Sequence, residues 1–499
     1  MMKIKRKLAG FNVRALILLL VLSFGEEARI WAKSERPNIV FILIDDQRYD
    51  FLSFLDHPWI ETPRIDELAS HGMYFDQAFV TTSLCSPSRA SIVTGVYAHT
   101  HGVIDNDTPV PENLDTFPKE LQKGGYHTGF VGKWHMGGSN DMPRPGFDYW
   151  ASFRGQGPYN DPEMNIDGEV YQKKGYTPDV LTDLAVEFIE EQTQSDKPYF
   201  LYLSHKSIHE DFTPARRHAG RYSDLEIPLP ESFGNSEANY AGKPDWLKKQ
   251  RVSWHGAERD YGILDYGSFD RFFQLYSECM LGVDESVGRI ADTLERLGEL
   301  DNTVIIYFSD NGYLIGEHGL IDKRVMYEES IRVPAFIHWP SKIKEASVNS
   351  EFVLNVDLGP TILDIAGIGT PESMHGESFL PLIEGESDGW RQDFVYEYFI
   401  DPNAVQTPTI FGLRTKDYSY MTYHGVWDLF ELYDMQKDPN QRNNLLGEVD
   451  YGWGYGGFLK YTRQQLPEVY PTVKRLDNRL TELMEELGGS RNPSWKLAD

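Results

Sequence analysis

The sequence predicts an α/β fold in which a large, mostly parallel sheet is flanked by helices. Three observations predict it. Short runs of β-branched and apolar residues recur along the chain, a pattern typical of strands buried on both faces. Amphipathic helical patterns lie between these runs. Acidic residues directly follow two of the predicted strands, which is where ligand sites form in open α/β sheets.

The first predicted strand covers residues 38–44, and further strands are predicted at 129–131, 199–203 and 304–308. Three helices are predicted from caps and apolar periodicity. The first is capped by Thr62, has Pro63 in its first turn and ends near Gly72; the second is capped by Thr177; the third covers roughly residues 276–297.

Residues 221–270 show no clear periodicity, and a loop of this length is usually functional or flexible. We expect this segment to border a substrate pocket together with C-terminal residues. The residues predicted to form this rim are Trp246, Trp254, Tyr261, His424 and Trp427.

The pattern changes after about Gly385. Residues 411–414 and 418–422 are predicted to be short strands around a turn at 415–417. We expect a smaller C-terminal α+β domain over 386–499.

The charge balance excludes some classes of partner. The 499 residues contain 48 Lys and Arg against 76 Asp and Glu, a formal charge of −28. This disfavours nucleic acid and loose adhesion to anionic membranes. An anionic substrate would need a local basic cluster.

Residues 1–25 are predicted to be a signal peptide, with a basic start, a short apolar run and Ser23-Phe24-Gly25 as a cleavage site. We therefore expect a periplasmic or secreted protein with no stable membrane span. The alternative is a buried or anchoring helix. Only two cysteines are present; Cys279 lies on a helical apolar stripe and is interpreted as a core thiol.

Two strand ends suggest a metal site. Asp45-Asp46 follows the first strand, and Asp310-Asn311 follows a later one. Converging hard oxygen ligands favour Ca²⁺ or Mg²⁺. Surface Asp pairs without a metal are the alternative interpretation.

Cys85-Ser86-Pro87-Ser88-Arg89 precedes an apolar stretch that ends at Thr94-Gly95. Pro87 suits a first helical turn, which would place Cys85 at a helix N-terminus, where an anion is favoured. Arg89 would follow one turn later. From the residues alone, Cys85 is either an activated thiolate or a structural cysteine.

These residues resemble the signature of type I sulfatases. The companion segments of that family are also present at Asp45-Asp46, Gly132-Lys133-Trp134-His135 and Ser309-Asp310-Asn311-Gly312. The resemblance is strong over residues 36–340, and the segment 309–334 is similar to glucosamine-6-sulfatases and bacterial polysaccharide sulfatases. It implies an alkaline-phosphatase-like sandwich with a mixed, mostly parallel sheet, and a catalytic domain over 36–385.

The resemblance also implies the site. One Ca²⁺, with Mg²⁺ as the alternative, would be held by Asp45, Asp46, Asp310, Asn311 and the side chain of Cys85. A maturation enzyme would convert Cys85 to formylglycine, whose hydrate is the nucleophile.

The remaining roles carry over by position. Arg89 and Lys133 would contact the modified side chain, His135 would orient it, and Lys323 would bind sulfate and assist the leaving oxygen. His209 resembles the histidine of the family's Pro-His site, but Ile208 stands where Pro is usual. The nearby His205 is therefore an alternative candidate for the same role.

We therefore expect a sulfuric ester hydrolase that acts on a sulfated carbohydrate. A phosphohydrolase of the related superfamily is the main alternative. Such enzymes use Ser or Thr and often bind two Zn²⁺ ions, and no second set of His and Asp ligands is evident. A second alternative is a sugar-binding pseudoenzyme. Loss of Cys85 or Lys133 would have indicated it, but both residues are present.

Overall fold

The computed structural model describes residues 36–258, 266–424, 430–450 and 458–491. Its strands, in chain order, are β1 (Asn38–Ile44), β2 (Met73–Phe75), β3 (Ala78–Phe79), β4 (His127–Gly132), β5 (Tyr149–Ser152), β6 (Glu163–Ile166), β7 (Glu169–Gln172), β8 (Tyr199–Ser204), β9 (Thr303–Ser309), β10 (Leu314–Ile315), β11 (Ile321–Asp322), β12 (Ala335–His338), β13 (Ser347–Asn349), β14 (Val353–Leu354), β15 (Asp393–Tyr398), β16 (Thr409–Thr415), β17 (Tyr418–His424) and β18 (Phe430–Asp434).

The helices, in chain order, are α1 (Pro63–Ala69), α2 (Cys85–Thr94), α3 (Ala98–His101), α4 (Phe117–Lys123), α5 (Thr177–Gln192), α6 (Glu237–Tyr240), α7 (Asp245–Gln250), α8 (Phe269–Arg296), α9 (Glu328–Ile331), α10 (Leu358–Ile365), α11 (Leu380–Ile383), α12 (Phe458–Gln465) and α13 (Tyr470–Glu486). Short 3₁₀ turns cover Ser53–Leu55, Leu300–Asn302, Glu317–Gly319 and Asn355–Asp357.

A mixed sheet of ten strands forms the centre, in the order β13-β2-β12-β9-β1-β8-β4-β5-β6-β7. The middle strands β9, β1, β8, β4 and β5 run parallel, whereas β12, β6 and β7 are antiparallel to their neighbours. The four strands predicted from sequence are β1, β4, β8 and β9, all in this parallel core. The predicted fold class is confirmed.

Helices cover both faces of the sheet because the central strands are apolar on both sides. In β1, Phe41 and Leu43 belong to one buried cluster, and Ile42 and Ile44 belong to the other. Helices α2, α4 and α10 supply side chains to the first cluster, and α1, α5 and α8 supply side chains to the second. Cys279 on α8 is fully buried in the second cluster, as predicted.

The predicted helix starts differ from the observed ones in two places. Helix α8 begins at Phe269, seven residues before the predicted start, because Ser268 accepts a hydrogen bond from the Arg271 amide and caps it. Helix α5 begins at Thr177 itself, and the Thr177 hydroxyl donates to the carbonyl of Pro158 instead of capping the helix.

The C-terminal part contains an antiparallel sheet in the order β15-β16-β17-β18. Its central hairpin, β16 and β17, matches the two strands predicted there. Helix α13 packs on this sheet through Val473, Leu476, Leu480 and Met484, which are all buried.

The predicted signal peptide lies outside the described residues. Among the residues that the structure does describe, none of the helices is both long enough and apolar enough to cross a membrane.

Candidate active site

Four polar side chains meet where β1 and β9 end. The strands run side by side and pair Ile44 with Ser309, so Asp45-Asp46 and Asp310-Asn311 leave the sheet at the same level. The Asp46 amide donates to Asp310 Oδ1 at 3.1 Å, and Asn311 Nδ2 donates to Asp46 Oδ1 at 2.6 Å. The convergence expected from the two strand ends is present.

The backbone at Asp46 is held in a rarely populated conformation. Its φ of 64° lies in the left-handed region, which residues other than Gly, Asn and Asp rarely adopt. The Tyr276 hydroxyl donates to the Asp46 carbonyl at 2.8 Å, and the following amide of Gln47 donates to Ser309 Oγ. Such over-determined strain is common at functional sites.

The cysteine of the motif lies beside these carboxylates. Cys85 is the first residue of α2, as its spacing to Pro87 predicted, and its Sγ donates to Asp45 Oδ1 at 3.6 Å. Both side chains are fully buried. The Ser86 amide at the helix start donates to Asn106 Oδ1 at 3.1 Å.

Burial controls the protonation of this cysteine. It raises the pKa of the Cys85 thiol to about 12, although the charges of Lys133 and Lys323 act in the opposite direction. Burial therefore disfavours the thiolate form of an unmodified Cys85.

Three buried cations surround the carboxylates. Arg89 donates from Nε to Asp310 Oδ2 at 2.8 Å and from Nη1 to the Lys133 carbonyl at 2.7 Å. Lys133 Nζ pairs with Asp45, and Lys323 Nζ donates to both oxygens of Asp46 at 2.5 and 2.6 Å. These three cations balance the three carboxylates, so a bound divalent cation would give the cluster the positive charge that an anionic substrate requires in so acidic a protein.

Two of the three buried carboxyl groups, Asp45 and Asp310, have pKa values shifted in opposite directions. Burial alone would raise the pKa of Asp45, but Lys133, His209 and Arg89 hold that pKa well below its usual range. Burial and the charge of Asp45 raise the pKa of Asp310 to about 7. Three adjacent buried carboxylates thus repel one another, and a divalent cation would relieve that repulsion.

The donor set fits a hard divalent cation. Carboxylate oxygens of Asp45, Asp46 and Asp310 lie within 4.8 Å of one another, and all three side chains are buried. Asn311 Oδ1 is buried and accepts no hydrogen bond from the described residues. This oxygen is therefore available to bind a cation. These are the ligand types that Ca²⁺ and Mg²⁺ prefer.

The structure separates the two competing histidines. His209 Nε2 lies 3.8 Å from Asp46 Oδ2, at the site. His205 is fully buried, and its Nε2 lies 3.0 Å from Ser286 Oγ on α8. Of these two histidines, His209 is therefore the one placed to reach a substrate.

His135 also lies close to the start of α2. Its φ is 64°, its ring Nδ1 lies 3.4 Å from Ser86 Oγ, and its carbonyl accepts a hydrogen bond from the same hydroxyl at 2.9 Å. Burial and the charge of Lys133 lower the pKa of His135 well below its usual value, so the ring is neutral.

The sequence interpretation missed two side chains that flank Lys323. Asp322 and Arg324 form an ion pair with each other, and both have φ values in the left-handed region, 77° and 75°. Arg324 Nε is buried and has no hydrogen-bond partner. The signal was available in Ile321-Asp322-Lys323-Arg324, of which only Lys323 was given a role.

A further cation, Lys206, was also missed. It is 1 % exposed, and its Nζ lies 4.1 Å above the ring of Tyr159. The Tyr159 hydroxyl donates to the His209 carbonyl at 2.7 Å, so this pair supports the segment that carries His209. Nothing in the local sequence distinguishes Lys206 from a surface lysine.

The aromatic residues and the histidine expected to form the pocket rim lie in different settings. Trp246 is a buried residue of α7 that packs edge-on against Tyr423 at 5.2 Å, so it is a core residue and the prediction for it was wrong. Trp254 is 53 % exposed. Tyr261 and Trp427 lie outside the described residues. His424 lines a separate cavity with Thr481, Glu485 and Arg491.

Two known protein families match this chain. The family described as Sulfatase matches residues 37–368, and the family described as N-sulphoglucosamine sulphohydrolase, C-terminal, matches residues 316–453.

Similar proteins cover most of the chain. An N-acetylglucosamine-6-O-sulfatase of Bacteroides thetaiotaomicron is 33 % identical over 475 residues, which is 84 % of each chain. The N-acetylglucosamine-6-sulfatase of Homo sapiens is 31 % identical and covers 87 % of this chain and 85 % of its own length. A solved structure described as a complex with its substrate D-glucosamine-2-N,6-O-disulfate superposes with a TM-score of 0.80 at 30 % identity, covering 91 % of this chain and 98 % of the other.

The buried cysteine, the carboxylate cluster and its paired cations are thus found on a chain that matches this family over most of its length. The protein belongs to the sulfatase family and is a sulfuric ester hydrolase.

Proposed function

We propose that this sulfatase removes sulfate from a sulfated carbohydrate, with a 6-O-sulfated glucosamine as the first substrate to test. The observation that carries the proposal is the convergence of Cys85, Arg89, Lys133 and Lys323 on the Asp45-Asp46 strand end. Relatives named for N-acetylglucosamine 6-sulfate support the choice of sugar.

Cys85 is proposed to act after conversion to formylglycine by a maturation enzyme. The hydrated aldehyde would supply one hydroxyl to attack sulfur and a second whose deprotonation releases the bound sulfate. The raised pKa of the unmodified thiol supports this choice, because a neutral buried thiol is a poor nucleophile.

The carboxylate cluster is proposed to hold one Ca²⁺, with Mg²⁺ as the alternative. The ligands would be Asp45, Asp46, Asp310 and Asn311 together with the modified Cys85 side chain. The ion would supply Lewis-acid stabilisation of negative charge on the nucleophile and sulfate oxygens. Both groups of three metal-ligating side chains found among the described residues include Asp45, so they define one site.

The protein's own side chains have distinct tasks in this proposal. Arg89 and Lys133 hold the side chain at position 85 and stabilise its anion. Lys323 binds a sulfate oxygen and assists the departing sugar oxygen. His209, in the segment that follows β8, reaches the same oxygen. His135, neutral at the start of the reaction, accepts the proton whose loss frees sulfate.

Export is also proposed, from the predicted signal peptide. Protein isolated from the native host should begin between Glu26 and Ser34. A mature protein that retains Met1 would contradict periplasmic or secreted localisation without affecting the proposed chemistry.

The test of the proposed function is a sulfate-release assay with the matured enzyme on a panel of sulfated mono- and oligosaccharides, a sulfated steroid and a phosphate monoester. We expect release from 6-O-sulfated glucosamine sugars and none from the steroid. Preferential hydrolysis of the phosphate ester, or activity on the steroid alone, would contradict the proposal.

A further inference from the structure

Two adjoining clefts of the C-terminal part are lined by five cationic side chains. These are Lys460 and Arg463 of α12 and Lys474, Arg475 and Arg479 of α13. The cleft at α12 has a volume of about 470 Å³ and the cleft at α13 one of about 710 Å³, and Tyr470 at the start of α13 lines both. We call these two clefts together the basic groove.

Most of the positive charge in the basic groove is not neutralised by the protein itself. Arg479 pairs with Asp393 at 2.8 Å. The other four cations are exposed, and they form no ion pair with any carboxylate in the described part of the chain. Among the described residues that line the groove, Asp393 and Glu482 are acidic, against five cations. The groove is therefore a locally positive surface on a protein whose formal charge is −28.

Two guanidinium groups of the basic groove are held against aromatic rings. Arg463 Cζ lies 5.9 Å from the centroid of the Tyr470 ring, and Arg475 Cζ lies 5.9 Å from the centroid of the Tyr418 ring. Contacts of this kind orient a guanidinium without using its N–H donors, which then remain available for the oxygens of a sulfate or carboxylate group. The first turn of α13 contains no acidic residue, so the positive end of its helix dipole is not neutralised there either.

A polyanionic carbohydrate fits these features better than a membrane does. Helices that bind membranes combine basic residues with large apolar side chains that enter the bilayer. The described side chains of α12 and α13 include no exposed large apolar residue. The groove is also concave, which suits a chain with charged groups repeated along its length. Because the rest of this acidic surface repels a polyanion, attraction depends on such local basic sites.

The basic groove is separate from the catalytic centre. Strand β15 begins at the groove with Asp393, and three residues later the Tyr396 hydroxyl lies 2.6 Å from Ser83 Oγ, two residues before Cys85. Three residues of a strand span about 10 Å. The groove shares none of its lining residues with the site at Cys85, so an anion bound in the groove is not the sulfate group that reacts.

We infer that the basic groove binds a polyanionic polysaccharide through its sulfate or carboxylate groups and tethers the enzyme to a substrate chain that carries many sulfate groups. This inference rests on the proposed function and extends it, because the substrate is then a polymer. Tethering raises the local concentration of sulfated residues near the active site without changing the chemical step. Its effect therefore falls on KM for a polymer and not on kcat.

The experiment titrates matured, full-length enzyme with dextran sulfate and with uncharged dextran of the same length, by calorimetry. The unmodified enzyme should bind dextran sulfate alone, and more weakly as the salt concentration rises. The double variant Lys474→Gln, Arg475→Gln should weaken this binding about tenfold, as expected for the loss of two exposed charge contacts. It should also raise KM for a polysaccharide that carries 6-O-sulfated glucosamine. Its kcat and KM for the corresponding monosaccharide should stay within about twofold of the unmodified enzyme.

The double variant Arg289→Gln, Arg296→Gln is the matched control, because it removes the same charge from two exposed arginines of another long helix. That helix, α8, packs into the second buried cluster, whereas α13 packs into the first. The control should keep its affinity for dextran sulfate.

Equal losses of affinity in the two double variants, or no loss in the groove variant, would overturn the inference. Undiminished affinity of the groove variant for dextran sulfate, together with loss of binding to vesicles that contain phosphatidylserine, would also overturn it, since that result assigns the groove to a lipid surface. The proposed function fails separately, if the unmodified enzyme releases sulfate from an aryl sulfate but from neither saccharide.

Discussion

Lys323 donates from Nζ to both carboxylate oxygens of Asp46, at 2.5 and 2.6 Å, in a site where both side chains are buried. Lys133 makes the corresponding ion pair with Asp45. The same two aspartates are candidate metal ligands, so each would share its oxygens between a lysine and the cation. Buried charges of this kind are stable only when paired, which makes metal content and folding stability interdependent.

The first prediction concerns that interdependence. Adding Ca²⁺ to chelator-treated enzyme should raise its Tm and restore sulfate release, because the ion binds the folded state alone. Asp310→Asn should abolish most of the Ca²⁺-dependent rise in Tm. The measurement is thermal unfolding with and without the ion.

Asp292→Asn provides the control for this prediction, because Asp292 pairs with Arg64 at an exposed surface. Its Ca²⁺-dependent rise in Tm should equal that of the unmodified enzyme. An undiminished rise in Asp310→Asn would show that the cation binds elsewhere.

The second prediction separates His209 from His205. His209→Ala should lower kcat about 100-fold or more on a sugar sulfate, because the departing sugar alkoxide loses a hydrogen-bond donor that stabilises its charge. The loss should be much smaller on an aryl sulfate with a good leaving group. His205→Ala should instead lower stability by about 1–3 kcal/mol, because it leaves the buried Ser286 hydroxyl with fewer partners and opens a cavity.

Chemical denaturation and kinetics with the two leaving groups measure both effects. A His205→Ala enzyme of normal stability but low activity on sugar sulfates would reverse the assignment. Equal losses of His209→Ala on both leaving groups would show that His209 acts before the bond breaks.

The third prediction concerns pH and the contact between the catalytic part and the C-terminal helix. His99 Nδ1 lies 2.9 Å from Glu397 Oε2, and its Nε2 lies 3.0 Å from the Leu487 carbonyl that follows α13. Both ring nitrogens thus face acceptors, an arrangement that suits the doubly protonated ring. Burial opposes that charge, but the Glu397 carboxylate raises the pKa of His99 above its usual value of 6.5.

A raised native pKa means that this pair stabilises the fold below pH 6.5 and that the contribution is lost as pH rises through the native pKa. Glu397→Gln should therefore cost more stability at pH 6 than at pH 9, measured by denaturant unfolding. Asp393→Asn is the control on the same strand, because its partner Arg479 on α13 stays charged throughout. Its stability cost should not change over that range, and a constant cost for Glu397→Gln would disprove the coupling.

The sequence predicted the parts of the site that follow from local rules. Asp45 and Asp310 were predicted to meet because the carboxyl ends of parallel strands share one edge, and Cys85 was placed at a helix start by Pro87. The burial of Trp246 was not predictable in this way. It depends on contact with Tyr423, 177 residues away in the chain, and a short helix such as α7 leaves no periodic signal. The contact between the segments around Gln250 and Thr407 likewise depends on one tertiary hydrogen bond, which leaves no local signal.

The last prediction concerns Cys85. Active enzyme should contain an aldehyde at position 85, detected by hydrazide labelling and by the mass of the corresponding peptide. Cys85→Ala should fold with a Tm close to that of the unmodified enzyme, because only the small Sγ atom is lost from the buried start of α2. It should lose nearly all sulfatase activity while still binding Ca²⁺ through the aspartates.

Cys85→Ser is the sharper test, because Ser keeps a hydroxyl but lacks the second oxygen that expels sulfate. Produced in a host that does not convert serine, this variant should accept sulfate once and then stop, giving a sulfated peptide and no turnover. If the unmodified thiol were the nucleophile, protein in which position 85 has the mass of cysteine would be fully active. Because only the hydrated aldehyde has the second hydroxyl that expels sulfate, we expect activity to rise in proportion to aldehyde content across preparations. Activity that is independent of aldehyde content would show that Cys85 acts unmodified, even if the metal site is correct.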